Sequence, residues 1–177
     1  MRNAPRRDAP LLVDTGMHPD GKPASMDVSD WSSRVETGQQ YVVADVRGDW
    51  TAIWYSGQKE WFYNSPSEPV ISPAKGTVVT PRFGPILMYG AAYPERSAYA
   101  RTEGAPIDFK PLEQYRLLTG QKYVAQSPQP ICSEYLVAET FHEADHVLTR
   151  GQSKYFQIQY GNRIAYVNAS DVLVVNN

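Results

Sequence analysis

The sequence predicts an all-β protein that is built from two copies of one small unit. Its 177 residues include 14 Pro and 12 Gly, which indicate many turns and short elements and argue against long helices. Apolar and polar residues alternate with a period of two, as they do in half-buried strands. Three segments also recur along the chain in the same order, which indicates that one unit has been duplicated.

The repeat is defined by the distances between its matching segments. Residues 11–13 with Pro19 match 86–88 with Pro94 at an offset of 75, residues 37–42 match 119–124 at 82, and the pattern of 50–62 matches 155–167 at 105. The offsets grow while the order is kept, so the second copy must contain insertions. The largest insertion, of about 23 residues, is predicted between Val124 and Tyr155.

The alternation predicts which side chains face the core of each copy. In the second copy the inward residues are Phe156, Ile158 and Tyr160, and in the first copy they are Thr51, Ile53 and Tyr55. The outward residues are then Trp50, Ala52 and Trp54 in the first copy, and Tyr155, Gln157 and Gln159 in the second. The dipeptides Ser56-Gly57 and Gly161-Asn162 are predicted as hairpin turns, because Gly and Asn tolerate the positive φ of tight turns.

These residues give the chain a resemblance to bacterial SH3 (SH3b) domains. The resemblance is carried by Gly38, by Trp50-Thr51-Ala52-Ile53 and by Glu60-Trp61-Phe62. The chain is also similar to the C-terminal region of secreted bacterial N-acetylmuramoyl-L-alanine amidases, through residues 12–17, 28–31, 48–55 and 165–167. Together these segments cover most of the chain from about residue 10 to its end.

The resemblance implies two small SH3-like barrels in tandem, at residues 8–72 and 76–177, with the insertion of the second near 126–153. A Pro-rich turn at 65–69 would join them, and a flexible basic tail at 1–7 would precede them. The implied function is non-catalytic binding of peptidoglycan or of a wall-linked peptide or glycan, outside the cell. The zinc amidase domain of the family has no counterpart in these residues, so neither catalysis nor a cofactor is expected.

Charge and hydropathy disfavour other classes of partner. The net charge is −2, from 17 basic and 19 acidic residues, so no broad positive field is present to attract nucleic acid. No apolar run reaches the roughly 18 residues of a membrane span, so membrane insertion is not expected. Residues 11–13 form too short an apolar run for a signal peptide. The single Cys132 excludes an internal disulfide.

One segment, residues 142–146, satisfies the zinc-peptidase pattern H-E-x-x-H, which places two zinc-binding histidines on one face of a helix. The segment lies in the predicted insertion, carries a charged residue at Asp145, and has only Asp171 as a late carboxylate ligand. We therefore interpret it as a solvated loop or a single helical turn, with no metal site. A zinc peptidase built on His142 and His146 is the alternative.

The first copy is rich in aromatic residues, which are Trp31, Tyr41, Trp50, Trp54, Tyr55, Trp61 and Tyr63. Most of them are expected to fill a small core. The predicted ligand-binding residues are Trp54 and Trp61, as the exposed pair, together with Trp50 and Tyr63, because rigid rings bind sugar and peptide surfaces with little entropy loss. Two alternatives stay open: these rings form the seam between the barrels, or they recognise a partner protein.

Overall fold

The computed structural model of the protein describes residues 1–10, 35–67, 69–71, 76–92, 111–138 and 146–176. Within these ranges the chain forms β-strands, turns and one short 3-10 helix, and it forms no α-helix. The all-β class is therefore confirmed. None of the described helical residues forms a segment long and apolar enough to cross a membrane. Several residues used above lie outside the described ranges: 11–19, 28–31, Pro94 and 142–145.

The first sheet is an antiparallel meander of three strands, β1 (Val43–Arg47), β2 (Trp50–Tyr55) and β3 (Gln58–Tyr63). β2 reads WTAIWY, a run of aromatic and β-branched residues that fit a pleated surface. The turn between β2 and β3 has positive φ at both of its residues, 45° at Ser56 and 83° at Gly57. The predicted two-residue hairpin is confirmed, with the φ signs of a type I′ turn.

The other strands form two further sheets. One has five strands in the order β6-β5-β10-β9-β8, and the other has three in the order β11-β4-β7. Their bounds are β4 Thr77–Pro81, β5 Ile86–Tyr89, β6 Pro111–Leu117, β7 Tyr123–Val124, β8 Ile131–Ala138, β9 His146–Tyr160, β10 Arg163–Asn168 and β11 Val172–Asn176. Across the described ranges no sheet closes on itself, because the strands of the second copy are divided between two open sheets. The all-β class holds here without the closed barrels that the resemblance implies.

The pairing registers are equivalent in the two predicted copies wherever both copies are described. Strands β2 and β3 pair in the same register as β9 and β10. The residue that precedes each hairpin in the chain also pairs with the equivalent position of β2 or β9. The equivalent pairs are Val43↔Ile53 with Ala125↔Ile158, Trp50↔Tyr63 with Tyr155↔Asn168, and Tyr55↔Gln58 with Tyr160↔Arg163. The predicted insertion lies in the hairpin formed by β8 and the first part of β9, and β9 is 15 residues long where β2 has six.

The core agrees with the predicted inward faces and differs at the outward ones. Phe156, Ile158 and Tyr160 are buried, and so are their counterparts Thr51, Ile53 and Tyr55. The predicted outward residues Ala52, Tyr155 and Gln159 are buried as well, so the prediction that they face solvent is wrong. The reason is that other parts of the chain cover both faces of these strands, which a period of two cannot show.

The two copies meet through shared apolar contacts. Val42 of the first copy packs with Val78 and Val124 of the second in one buried cluster. Trp54 lies against this cluster and also against the main core, which contains Val79 and Ile158. The sheet of the first copy is therefore packed on the second copy around Trp54.

Candidate functional site

The strand register gives the first sheet one strongly aromatic side, which we call the aromatic face. Because residues that are directly opposite in an antiparallel pair share a face, alternate positions of the three strands line up on this side. The residues concerned are Asp45, Arg47, Trp50, Ala52, Trp54, Lys59, Trp61 and Tyr63. All four predicted ligand-binding residues are thus brought together on one side of one sheet.

The solvent exposure of these four side chains differs from the prediction that Trp54 and Trp61 are the exposed pair. Trp61 is only 5% exposed, so the prediction that it is accessible to solvent is wrong. Trp54 is half-buried and packs against the core of the second copy, as the alternative of a seam between the copies requires. Trp50 is also half-buried, and Tyr63 is 42% exposed. The accessible end of the aromatic face is therefore the end with Trp50 and Tyr63.

At that end, four side chains form what we call the Trp50–Tyr63 patch: Arg7, Asp49, Trp50 and Tyr63. The rings of Trp50 and Tyr63 meet edge to face, with centroids 5.7 Å apart and an interplanar angle of 81°. The Tyr63 hydroxyl donates a hydrogen bond to Asp49 Oδ2 at 3.0 Å. The guanidinium of Arg7 lies 5.2 Å from the centroid of the Tyr63 ring. The patch therefore combines two fixed rings with one exposed charge of each sign.

The other two tryptophans of the aromatic face, Trp54 and Trp61, lie next to cationic side chains. The Arg47 guanidinium lies 5.2 Å from the Trp61 ring centroid, and Lys59 Nζ lies 5.7 Å from that of Trp54. Asp45 Oδ2 lies 3.2 Å from the Arg47 guanidinium and 3.7 Å from Lys59 Nζ. Desolvation alone would raise the pKa of Asp45, but the Val46 N–H and these two cations lower it below its usual value. A ligand would have to displace these cations to reach either ring.

The N-terminal segment supplies Arg7 and differs from the expected solvated tail. Arg2 pairs with the outer edge of β3: its N–H donates to Trp61 O at 2.7 Å, and the Trp61 N–H donates to Arg2 O at 2.8 Å. The Arg2 guanidinium donates to Ala9 O, and Ala9 is buried. This pairing brings Arg7 over Tyr63. Sequence reasoning missed Arg7, because three arginines within seven residues carry no periodic signal.

The described residues of the second copy form no patch equivalent to the Trp50–Tyr63 patch. The counterpart of Trp50 is Tyr155, which is buried and packs edge to face on Tyr89 at 5.8 Å and 81°. The counterpart of Tyr63 is Asn168, which has no ring. An edge-to-face ring contact is present in both copies, but in the second copy its partner ring comes from Tyr89 of β5 and the ring of Tyr155 is buried.

The H-E-x-x-H segment is described only at its last residue. His146 begins strand β9, where it pairs with Ala138 of β8. A zinc-peptidase motif needs both histidines on one helix face, and the extended backbone at His146 does not provide that arrangement. In the described ranges no group of three or more His, Cys, Asp or Glu residues could hold a metal ion. Cys132, in β8, is a half-buried free thiol.

The opposite side of the first sheet holds a buried acid. Glu60 lies opposite Ile53 and is 1% exposed. Neither of its carboxylate oxygens has a hydrogen-bond partner among the described residues. Burial raises the pKa of Glu60 from 4.5 to about 7, and the α-amino group of Met1 opposes the rise. The burial of Glu60 could not be expected from its neighbours in the sequence, because it follows the polar residues Gln58 and Lys59.

Comparison with protein-family models, curated proteins and solved structures finds no match to this chain. The site is therefore interpreted from its own geometry.

Proposed function

We propose that the protein is a non-catalytic binding module that binds peptidoglycan through the Trp50–Tyr63 patch. The observation that carries the proposal is the fixed pair of rings at the accessible end of the aromatic face, where Tyr63 is 42% exposed. Rigid aromatic side chains offer a large contact area at a low entropic cost. Because the rings of Trp50 and Tyr63 already pack against each other, binding a ligand costs little additional side-chain conformational entropy.

The charges of the patch suit a ligand that carries both sugars and short peptides. The faces of sugar rings are apolar and stack on aromatic side chains, whereas stem peptides end in carboxylates and carry amines. Arg7 supplies a guanidinium for a carboxylate, and Asp49 supplies a carboxylate for an amine or a hydroxyl group. Peptidoglycan presents all of these groups along one repeating polymer.

Binding is assigned to the first copy because the described residues of the second copy do not repeat the Trp50–Tyr63 pair. In the second copy Tyr155 is buried beside Tyr89, and Asn168 replaces the second ring. A partner protein that uses the same rings is the competing proposal. A zinc peptidase has less support, since His146 lies on a strand.

The test is co-sedimentation of the protein with purified peptidoglycan. Tyr63→Ala removes an exposed contact ring and should weaken binding by about thirtyfold, the effect of losing roughly 2 kcal/mol at a contact aromatic. Phe83→Ala is the matched control, because Phe83 is 80% exposed but lies in the second copy, between β4 and β5. Phe83→Ala should bind like the wild type.

Thermal melts run beside the binding assay separate recognition from folding. Tyr63 lies at the exposed end of its strand, so Tyr63→Ala should change stability by less than about 1 kcal/mol. The proposal fails if Tyr63→Ala sediments as well as the wild type, or if the wild-type protein does not bind peptidoglycan at all. The second result would favour a partner protein as the ligand of the patch.

A further inference from the structure

The hairpin turns of the two copies lie against each other. The turn of the first copy is Ser56-Gly57 and that of the second is Gly161-Asn162, at the repeat offset of 105. A Cβ atom on Gly161 would overlap Ser56 Oγ, and one on Gly57 would lie 2.8 Å from the Tyr160 hydroxyl oxygen. Both glycines have positive φ, so each position requires glycine for two reasons.

The repeated motif T-G-Q-x-Y of the second copy binds the turn of the first. Gln121 is only 3% exposed, and its Nε2 donates a hydrogen bond to Gly57 O at 2.7 Å. Its Oε1 accepts from the Leu118 N–H at 3.0 Å, which fixes the orientation of the amide. The Tyr123 hydroxyl accepts from the Gly57 N–H at 2.9 Å. Both peptide groups of Gly57 are thus bonded by side chains of the other copy.

The same motif of the first copy binds the turn of the second. Gln39 Oε1 accepts from the Glu36 N–H at 2.7 Å, and Gln39 Nε2 donates to Asn162 Oδ1 at 3.4 Å. The Tyr41 hydroxyl donates to Gly161 O at 3.0 Å. The two bonds of Gln39 correspond to those of Gln121 at the offsets of 82 and 105, although the second one ends here on the side chain of the turn residue. The tyrosine bonds differ in direction: Tyr41 donates to the carbonyl oxygen of the turn, whereas Tyr123 accepts from the N–H of the equivalent peptide group.

The ring contacts beside the motifs are also repeated. Tyr41 packs on Tyr55 with centroids 5.6 Å apart at 40°, and Tyr123 packs on Tyr160 at 5.2 Å and 42°. A surface that contacts an equivalent surface reciprocally is the arrangement found in isologous dimers, where each partner offers both halves of the contact. Here the two partners are copies within one chain.

We propose that the T-G-Q-x-Y motif and the hairpin turn form a self-complementary docking surface whose partner is the other copy, and that this surface makes the two copies fold as one cooperative unit. We call it the cross-copy contact. It is separate from the Trp50–Tyr63 patch and does not depend on the proposed ligand. Its main consequence is that a change in one copy must alter the stability of the other.

The sequence provides a separate probe for each copy. All four tryptophans, at positions 31, 50, 54 and 61, belong to the first copy, so tryptophan fluorescence reports on its unfolding and, through Trp54, on its separation from the second copy. The single cysteine, Cys132, belongs to the second copy and is half-buried, so the rate of its reaction with a thiol reagent reports on the unfolding of that copy. Urea titrations of the full chain with both probes should give the same midpoint.

The decisive variant is Gln121→Ala, which leaves the Gly57 carbonyl and the Leu118 N–H without their partner. It should raise the unfolding equilibrium constant by roughly tenfold or more, and both probes should report the change equally. Gln126→Ala is the matched control, since Gln126 is exposed and lies five residues further along the same copy. It should leave both midpoints unchanged.

Gln39→Ala tests the contact from the other side and serves if Gln121→Ala does not fold. The hydrogen bond from Gln39 to Asn162 is longer than that from Gln121 to Gly57, so we expect Gln39→Ala to lower the urea midpoints by less. The midpoint reported by Cys132 should still change together with the midpoint reported by fluorescence. The proposal is overturned if Gln121→Ala lowers only the midpoint reported by Cys132, or if it has no more effect than Gln126→Ala. Two separate transitions in the wild type would also overturn it.

Discussion

The buried carboxyl of Glu60 makes the stability of the protein depend on pH near neutrality. Its pKa is raised from 4.5 to about 7 because the carboxylate is removed from water and accepts no hydrogen bond from the described residues, and the α-amino group of Met1 offsets only part of this rise. The folded chain therefore holds this proton to a higher pH than the unfolded chain does. The stabilisation is complete below about pH 4.5 and is lost as the pH rises through about 7.

The size of the effect follows from the shift. A change of one pKa unit corresponds to about 1.4 kcal/mol, so a rise from 4.5 to about 7 corresponds to roughly 3 kcal/mol between pH 4.5 and pH 8. In a chain of this length, 1 kcal/mol changes the melting temperature by about 2–4 °C. The wild-type protein should therefore melt about 10 °C lower at pH 8 than at pH 4.5, apart from the effects of other titrating groups.

Glu60→Gln isolates the contribution of this one group. The amide has nearly the same shape but no charge, so the variant should melt well above the wild type at pH 8, and the difference should shrink as the pH falls. The other titratable groups of the chain are common to both proteins, so their own contributions cancel in the difference. The assay is thermal unfolding followed by circular dichroism from pH 4.5 to 8. Parallel curves for the two proteins would refute the reasoning.

Two further predictions concern packing and metal content. Trp54→Ala should lower the free energy of unfolding by about 2–3 kcal/mol in urea titrations, because Trp54 packs against the core of the second copy and against the cluster that the two copies share, and a change below about 1 kcal/mol would contradict that packing. Ile53→Ala should cost roughly 2–5 kcal/mol for the cavity that it leaves in the first copy. Purified protein should contain substoichiometric zinc by elemental analysis and hydrolyse no peptide; one tightly held zinc ion per chain, lost in His142→Ala, would support the peptidase alternative.

The parts of the fold that the sequence predicted are those that depend on local pattern. A period of two is a property of the strand itself, so the inward positions Ile53 and Ile158 could be assigned from the alternation. The hairpin at Ser56-Gly57 could also be predicted from local sequence, because few residue types adopt the positive φ of a tight turn. The duplication was visible because the order of three segments was kept.

The parts that could not be predicted depend on contacts between distant segments. Ala52 and Trp61 looked exposed because the alternation places them opposite the core face, yet other segments cover them. Gln121 belongs to a repeated string in the sequence, but its burial depends on Gly57, which is 64 residues away along the chain and accepts its hydrogen bond. A polar residue that returns within a repeated motif is a signal of this kind, since a solvated glutamine has no reason to be kept in both copies.

The way in which the second copy accommodates its insertion shows where this fold can be lengthened. About 23 extra residues enter between Val124 and Tyr155, yet Ala125 still pairs with Ile158, as Val43 pairs with Ile53 in the shorter copy. The insertion lengthens the β8–β9 hairpin on the side away from the Ala125–Ile158 bridge and leaves that pairing unchanged. The Gly48-Asp49 turn is the corresponding end of the hairpin in the first copy. An engineered loop or epitope grafted there would extend away from the base register, although it would adjoin the ring of Trp50.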